Sequence, residues 1–432
     1  MKASGCSGAG EAARHLRACS AFSAEKSRRG TTRAMAAAVG IILMCSATLA
    51  AADDVSTPGS AAAGAGSTDQ AATSAPALPS FSPTLKANPN PAKIELGAFG
   101  PIYLNGVVSG LGLTQDHPVP GDRRDRLDFS NAQMFVQKQD GVVQFFVQGG
   151  VYKITSLGAR DFNALDYTRQ LFGPVPVAFL KLAPTDAFSI QAGKLPTLIG
   201  AENPFTFQNL NIQRGLLFNQ TNSINRGVQA NYTVGSVSVS ASLNDGFYSD
   251  RYNWFTGAVT WKIDDANTLV FDAGANLGRT TYQSFATPLL QNNSSIYNLI
   301  YTYSSGPWTV TPYVQFTNVQ RDRTLGITES ASTYGGAVLA SYAFTPEFAL
   351  AGRAEYIAQS GNRQTGATSL LYGPGSSAVS FAITPTFQRG VFFARGEYAY
   401  VKAFDTTPGL VFGRSGNATS QNRFVLETGV IF

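Results

Sequence analysis

Apolar and polar residues alternate in short segments along most of this chain. In residues 237–244, for example, Val, Val, Ala and Leu alternate with Ser, Ser, Ser and Asn. A period of two puts alternate side chains on opposite faces of an extended strand, so the pattern predicts strands with one apolar and one polar face. Sixteen segments are predicted as strands: 102–113, 127–139, 142–154, 175–182, 188–195, 224–234, 237–244, 254–263, 268–278, 295–304, 308–319, 332–344, 347–359, 376–387, 390–401 and 422–432.

The connections between these strands alternate strictly between short and long. Seven are tight turns such as Gly235-Ser236 and Thr345-Pro346, which are rich in turn-forming residues. Eight are long polar loops, near 114–126, 155–174, 196–223, 245–253, 279–294, 320–331, 360–375 and 402–421. A β-sandwich also has two-faced strands, but nothing in it sorts loops by length to opposite ends. We therefore predict an all-β fold, a transmembrane antiparallel β-barrel of about 16 strands with both termini on the short-turn side.

Composition favours a barrel over a helical membrane protein. Only 14% of the residues are charged and 11% are aromatic, whereas soluble domains usually carry about 25% charged residues. No segment after the first fifty residues contains the roughly 18–20 unbroken apolar residues of a membrane-spanning helix. Apolar residues at every second position escape such a search, which is typical of outer-membrane barrels.

The first 52 residues have the organisation of a secretory signal. A basic region is followed by the apolar run 34–50 and by three alanines that offer a cleavage site near Ala52. Because the basic region is long, translation could start downstream of Met1, and an uncleaved signal anchor is the alternative. Residues 53–93 are almost all Ala, Ser, Gly, Thr and Pro, so we predict a disordered linker. The barrel is predicted for residues 94–432.

Removing residues 1–52, hereafter the leader, changes the net charge of the chain and the residue types that could serve as catalysts or ligands. The whole chain has a formal charge of +5, but the leader holds all of the excess and the rest of the chain is formally neutral. The sequence thus gives no reason to expect nucleic acid as a partner. All three cysteines lie in the leader, and His117 is the only histidine after it. A barrel enzyme would have to use His117, which lies in a charged loop without a nucleophile motif. We predict no enzyme activity, no catalytic residue, no metal site and no cofactor.

The third long loop contains more apolar residues than a loop in water can expose: Leu198, Ile199, Phe205, Leu216, Leu217 and Phe218. Burying them requires the loop to fold into the barrel lumen, which would narrow the channel. The same region resembles the OmpL-like porin-2 family of β-barrel porins. The matching positions are Gly193-Lys194, Thr197-Leu198, Gly200, Glu202, Arg214, Leu216-Leu217-Phe218 and Gly227-Val228. The resemblance is specific over about residues 190–246 and architectural elsewhere. It implies a diffusion channel in the bacterial outer membrane and names no solute.

Charged residues on the polar strand faces are candidates for a pore constriction. Strand parity turns seven of them inward: Lys262, Asp272, Arg353, Glu355, Arg395, Glu397 and Glu427. Glu202 and Arg214 of the third loop complete the set, and Lys194 and Arg226 are weaker candidates because parity puts both on the apolar face. Opposed charges across a water-filled constriction would select solutes by charge and dipole. The alternative is that they form salt bridges that pack the lumen wall.

The last predicted strand, 422–432, ends the chain on an aromatic residue. Phe424, Leu426, Val430 and Phe432 share its apolar face, and Glu427 lies on the other. This ending resembles the assembly signal of outer-membrane barrels. It predicts outer-membrane lipid and the barrel assembly machinery as partners.

Two functions fit the sequence. The first is a porin that lets small hydrophilic solutes or ions diffuse passively, with weak ion selectivity. The second is a surface-exposed structural or adhesion barrel without an open channel. A homotrimer is possible through the Gly- and Ala-rich faces of 332–344 and 268–278, although small residues there could instead relieve crowding in the sheet.

Overall fold

The computed structural model describes residues 81–432. The predicted signal peptide, 1–52, and most of the predicted linker lie outside the described residues. The strands are β1 (Ala92–Glu95), β2 (Pro101–Gln115), β3 (Asp125–Lys138), β4 (Val143–Tyr152), β5 (Val177–Leu182), β6 (Phe188–Pro196), β7 (Ile224–Val234), β8 (Val237–Asn244), β9 (Trp254–Lys262), β10 (Asn267–Asn276), β11 (Ser294–Ser305), β12 (Trp308–Val319), β13 (Ala331–Ala343), β14 (Phe348–Gln359), β15 (Ser377–Arg389), β16 (Phe392–Phe404) and β17 (Ser420–Ile431).

Strands β2 to β17 form a closed antiparallel barrel. Each pairs with the next in chain order, and β17 closes the ring against β2, from Arg423 opposite Gln115 to Ile431 opposite Val107. All sixteen correspond to predicted segments, so the predicted fold is confirmed. Closure pairs the backbone groups of every strand, which an open sheet edge in hydrocarbon could not do.

The two faces of the wall differ as the alternation predicts. Outward side chains are large, apolar and exposed, for example Leu127 at 87% and Leu426 at 61% of their full accessibility. Inward side chains are largely polar and buried, such as Gln133, Asn244 and Glu427. The interior of the barrel, not a separate layer, therefore contains the core.

Two helices occur in the long loops, α1 (Ala164–Gln170) and α2 (Leu289–Asn292). The Asn163 side chain caps α1 by accepting a hydrogen bond from the Asp166 backbone N–H. No helix within residues 81–432 is long and apolar enough to cross a membrane.

The end of the predicted linker differs from the prediction. Residues 81–86 pack against the barrel, and Leu85 is only 2% exposed. Strand β1 pairs antiparallel with residues 101–104 of β2, just beyond the point where β17 ends. The Ala- and Pro-rich composition gave no sign of this packing, because only two bulky apolar residues, Phe81 and Leu85, anchor the segment.

Candidate functional site

The loop between β6 and β7, residues 197–223 and hereafter L3, fills the centre of the barrel. Its bulky residues are almost completely buried, with Phe205 and Leu217 at 1% and Phe207 and Leu216 at 0% exposure. They belong to two hydrophobic clusters that also contain inward residues of the wall, such as Phe135 of β3 and Tyr313 of β12. The prediction that the third loop folds into the lumen is confirmed.

Hydrogen bonds between its own residues join the two ends of L3 and form turns within it. The Thr197 hydroxyl bonds to the Asn222 side chain at 2.8 Å, which joins the two ends of the loop. Two short 3-10 turns, Thr206–Gln208 and Leu217–Gln220, shape its interior. L3 is therefore a structured part of the core.

Arg353 and Glu355 of β14 hold the second half of L3. The Arg353 guanidinium donates to the Glu202 carboxylate at 2.9 Å and to the Gln213 carbonyl at 2.6 Å. The Glu355 carboxylate accepts the Leu216 N–H at 3.0 Å. It also lies 3.3 Å from the Arg353 Nε.

A second charged group holds the middle of L3. Arg395 of β16 donates to the carbonyls of Thr206, Asn209 and Leu210 at 2.7–3.0 Å. Glu397 accepts the Gln213 side-chain amide at 2.9 Å. Glu427 of β17 accepts the Thr206 hydroxyl at 2.6 Å and lies 3.6 Å from the Arg395 Nη1. Charged side chains thus replace water as partners of the loop backbone.

Asp272 makes a comparable contact from the opposite wall. Its carboxylate accepts the Gly200 N–H of L3 at 3.2 Å and the Asn298 side chain at 2.6 Å. L3 is consequently attached to strands on both sides of the lumen.

The two charged residues of L3 itself are buried. Burial raises the pKa of the Glu202 carboxyl, and the adjacent Arg353 opposes that rise. Burial lowers the pKa of Arg214 to about 10. The Arg214 backbone pairs with Thr155 and Leu157 of the second long loop, so this position joins two loops.

Lys194 and Arg226 do not belong to the constriction. They are paired in register on β6 and β7 and share the outward face with Val228, which is 52% exposed. Lys194 donates to the carbonyls of Phe172 and Val175, and Arg226 pairs with Asp245 at 2.7 Å. The prediction that Lys194 and Arg226 line a constriction is wrong, because neither strand has a bulge that would turn these side chains inward.

Sequence reasoning missed several residues that hold L3. Arg423 of β17 donates to the Gln213 side chain at 3.3 Å and to the Ser156 carbonyl at 2.7 Å. Asn131 of β3 donates to the Thr206 hydroxyl at 2.7 Å. Strand parity would have found Arg423, which shares its face with Glu427. Nothing in the sequence singles out Asn131.

Apart from Lys262, every inward candidate charge is buried: Glu202, Arg214, Asp272, Arg353, Glu355, Arg395, Glu397 and Glu427 are each 5% exposed or less. Their partners are the L3 backbone, wall side chains and each other. This geometry matches the salt-bridged packing alternative better than a ring of charges facing water.

The wall from β7 to β12 is different near the short turns. Several of its inward residues there are neutral, polar and partly exposed, including Asn231, Ser240, Thr260, Thr302 and Thr311. They bond to one another, as in Ser240 to Asn231 at 2.8 Å and Thr302 to Thr311 at 3.1 Å. The inward cation Lys262 lies at a turn and pairs with Asp265 at 2.8 Å. The partly exposed inward face of this wall therefore carries mainly hydroxyl and amide groups, with one cation paired to an aspartate at a turn.

His117 lies in an exposed loop, 3.4 Å from the Asp116 carboxylate. Within the described part of the chain, no group of three or more His, Cys, Asp or Glu residues could hold a metal ion.

Solved structures with a similar fold are outer-membrane proteins. The anion-selective porin from Comamonas acidovorans is 13% identical with a TM-score of 0.51, over 77% of this chain and 99% of that one. The outer membrane channel DcaP of Acinetobacter baumannii is 11% identical with a TM-score of 0.52, over 77% and 97%. OmpF of Salmonella typhi is 14% identical with a TM-score of 0.52, over 77% and 98%. At these identities the likeness concerns the fold.

Comparison with curated protein sequences gave no significant match. A family model does match, and it covers the whole barrel from residue 101 to residue 432. The closed sixteen-strand wall, the lumenal L3 and this match agree with the motif resemblance around L3. The chain belongs to the bacterial outer-membrane barrel family described as "Putative beta-barrel porin-2, OmpL-like".

Proposed function

We propose that this protein is a porin through which small hydrophilic solutes diffuse passively across the outer membrane. The observation that carries the proposal is the partly exposed wall of neutral hydroxyl and amide groups on β7–β12. Such groups replace hydrogen bonds that a solute loses with water, without holding it tightly. Residues of this wall already bond to each other, so they offer both donors and acceptors.

The proposed channel prefers uncharged solutes or discriminates weakly between ions. The candidate constriction charges are buried in pairs with L3, as in Arg353 with Glu202 at 2.9 Å. A paired and buried charge contributes little field to a water-filled passage beside it. A non-enzymatic role is part of this proposal.

Purified protein in a planar bilayer should give stepwise conductance, and a salt gradient across the bilayer should give a reversal potential near zero. Liposomes containing the protein should swell faster with a small neutral sugar than with a sugar acid of similar size. Properly folded protein that gives no conductance would favour the alternative, a surface-exposed structural or adhesion barrel.

Deleting residues 198–218 should raise the single-channel conductance, because L3 occupies the centre of the lumen. The control is a shortening of the outer loop at 320–330, whose side-chain hydrogen bonds run to neighbouring outer loops, from Asp322 to Arg279 and from Thr328 to Gly366. Unchanged conductance in a folded deletion variant would mean that L3 does not limit the passage.

A further inference from the structure

Residues 81–86, hereafter the strap, lie against the underside of L3. The Ser82 N–H donates to the Phe207 carbonyl at 3.1 Å. The Phe81 and Phe207 rings are 5.2 Å apart between centroids. The strap thus contacts L3 through both backbone and side chain.

Phe207 depends on the strap for part of its burial. Three rings surround it, from Phe81 at 5.2 Å, Phe135 of β3 at 5.6 Å and Phe205 of L3 at 5.9 Å. Phe207 is 0% exposed. Removing Phe81 would open one side of this aromatic residue to the lumen.

The strap is folded and fastened at the barrel rim. Ser82 and Leu85 close a turn through a 3.0 Å backbone hydrogen bond, and Pro83 occupies the position that favours such a turn. Leu85 is 2% exposed within the cluster that contains Phe207.

At the next residue, Gln388 of β15 forms two hydrogen bonds with the Lys86 backbone. It accepts the N–H at 2.7 Å and donates to the carbonyl at 2.9 Å. The Lys86 ammonium donates to the Pro346 carbonyl in a short turn at 2.6 Å. The strap therefore runs between a fixed point at the periplasmic rim and L3.

We infer that the strap positions L3, so that a segment preceding the barrel sets the width and steadiness of the channel. Phe81 and Leu85 support L3 from below, and Gln388 holds the strap to the rim. The part of this inference that concerns conductance rests on the proposed function. The part that concerns L3 does not.

The test compares Phe81→Ala/Leu85→Ala with the control Ile94→Ala/Leu96→Ala. The control residues also precede the barrel but are 48% and 45% exposed. Heat-modifiable mobility on gels checks that both variants contain folded barrels. The strap variant should give a larger and noisier single-channel conductance than wild type, whereas the control should match wild type.

A second measurement reports on L3 without any conductance. Residues 46–432 contain no cysteine, so Ile212→Cys in protein produced without the first 52 residues introduces a single thiol in a residue of L3 that is 0% exposed. A water-soluble maleimide should label this thiol faster in the strap variant than in the control. Gln388→Leu, which removes both bonds to Lys86, should act in the same direction.

The two readouts separate the two proposals. If no variant conducts but labelling accelerates, the porin proposal fails and the positioning of L3 by the strap stands. If folded strap variants match the control in labelling and, where channels form, in conductance, the inference is overturned.

Discussion

At the scale of single residues, close packing decides how L3 meets the wall. A Cβ placed on Gly215 would lie 1.9 Å from the Glu355 Oε1. That carboxylate cannot swing away freely, because Leu216, Ser380 and Arg353 also hold it. Gly215 is therefore required by space at this position.

Gly215→Ala should push the Glu355 carboxylate from its partners and destabilise the barrel by about 1–3 kcal/mol, the usual cost of overpacking. Thermal unfolding in detergent would measure the loss. The control is Gly352→Ala on β14, the strand of Glu355, since its Cβ would approach no closer than 3.6 Å to the nearest atom. Equal unfolding temperatures for the two variants would contradict the packing argument.

At the scale of elements, the outward and inward side chains of the closing strand β17 have different roles. Its outward residues Phe424, Leu426 and Phe432 are 42–61% exposed, whereas inward Glu427 is fully buried beneath L3. Val430 shares the outward face by parity. The ring of Phe432 lies over Gly106 of β2, where an added Cβ would come within 2.3 Å of it. The terminal residue is therefore part of the seam as well as the proposed assembly signal.

Phe432→Ala should reduce the amount of folded barrel recovered in outer membranes, because the seam loses an aromatic contact and the proposed assembly signal loses its terminal aromatic residue. Phe404→Ala is the control, since Phe404 is also outward and 44% exposed. It lies at the end of β16 that is far from Phe432. Heat-modifiable mobility of isolated membranes measures the folded fraction. A similar decrease for both variants would mean that the position of the aromatic residue is irrelevant.

At the scale of the whole molecule, the interior is unevenly occupied. L3 occupies the centre and, with the strap, packs mainly against the side formed by β13–β17 and β2–β4, where most inward residues are buried. The side formed by β7–β12 retains partly exposed neutral residues near the periplasmic turns. Breaking a buried ion pair costs about 3–5 kcal/mol, so the packed side is the less adaptable one.

A homotrimer remains our proposal for the assembly. The outward faces of β13 and β10 carry small residues, such as Gly336 and Ala340, that let neighbouring walls approach closely. Native mass measurement in mild detergent should give three times the chain mass, and Ala340→Trp should reduce it. A single-chain mass for wild type would contradict the proposal.

The sequence by itself determined the barrel, its strand number and the fold of L3 into the lumen. These follow from local alternation, loop lengths and the apolar content of one loop, all of which are readable along the chain. Strand parity also found which charges point inward, although Arg423 was overlooked. Only the tertiary structure decided that these charges are buried against L3 instead of facing water, because parity gives a direction and not a neighbour. The strap was hidden for the same reason: Phe81 and Leu85 resemble stray apolar residues in a linker until the chain brings them under Phe207.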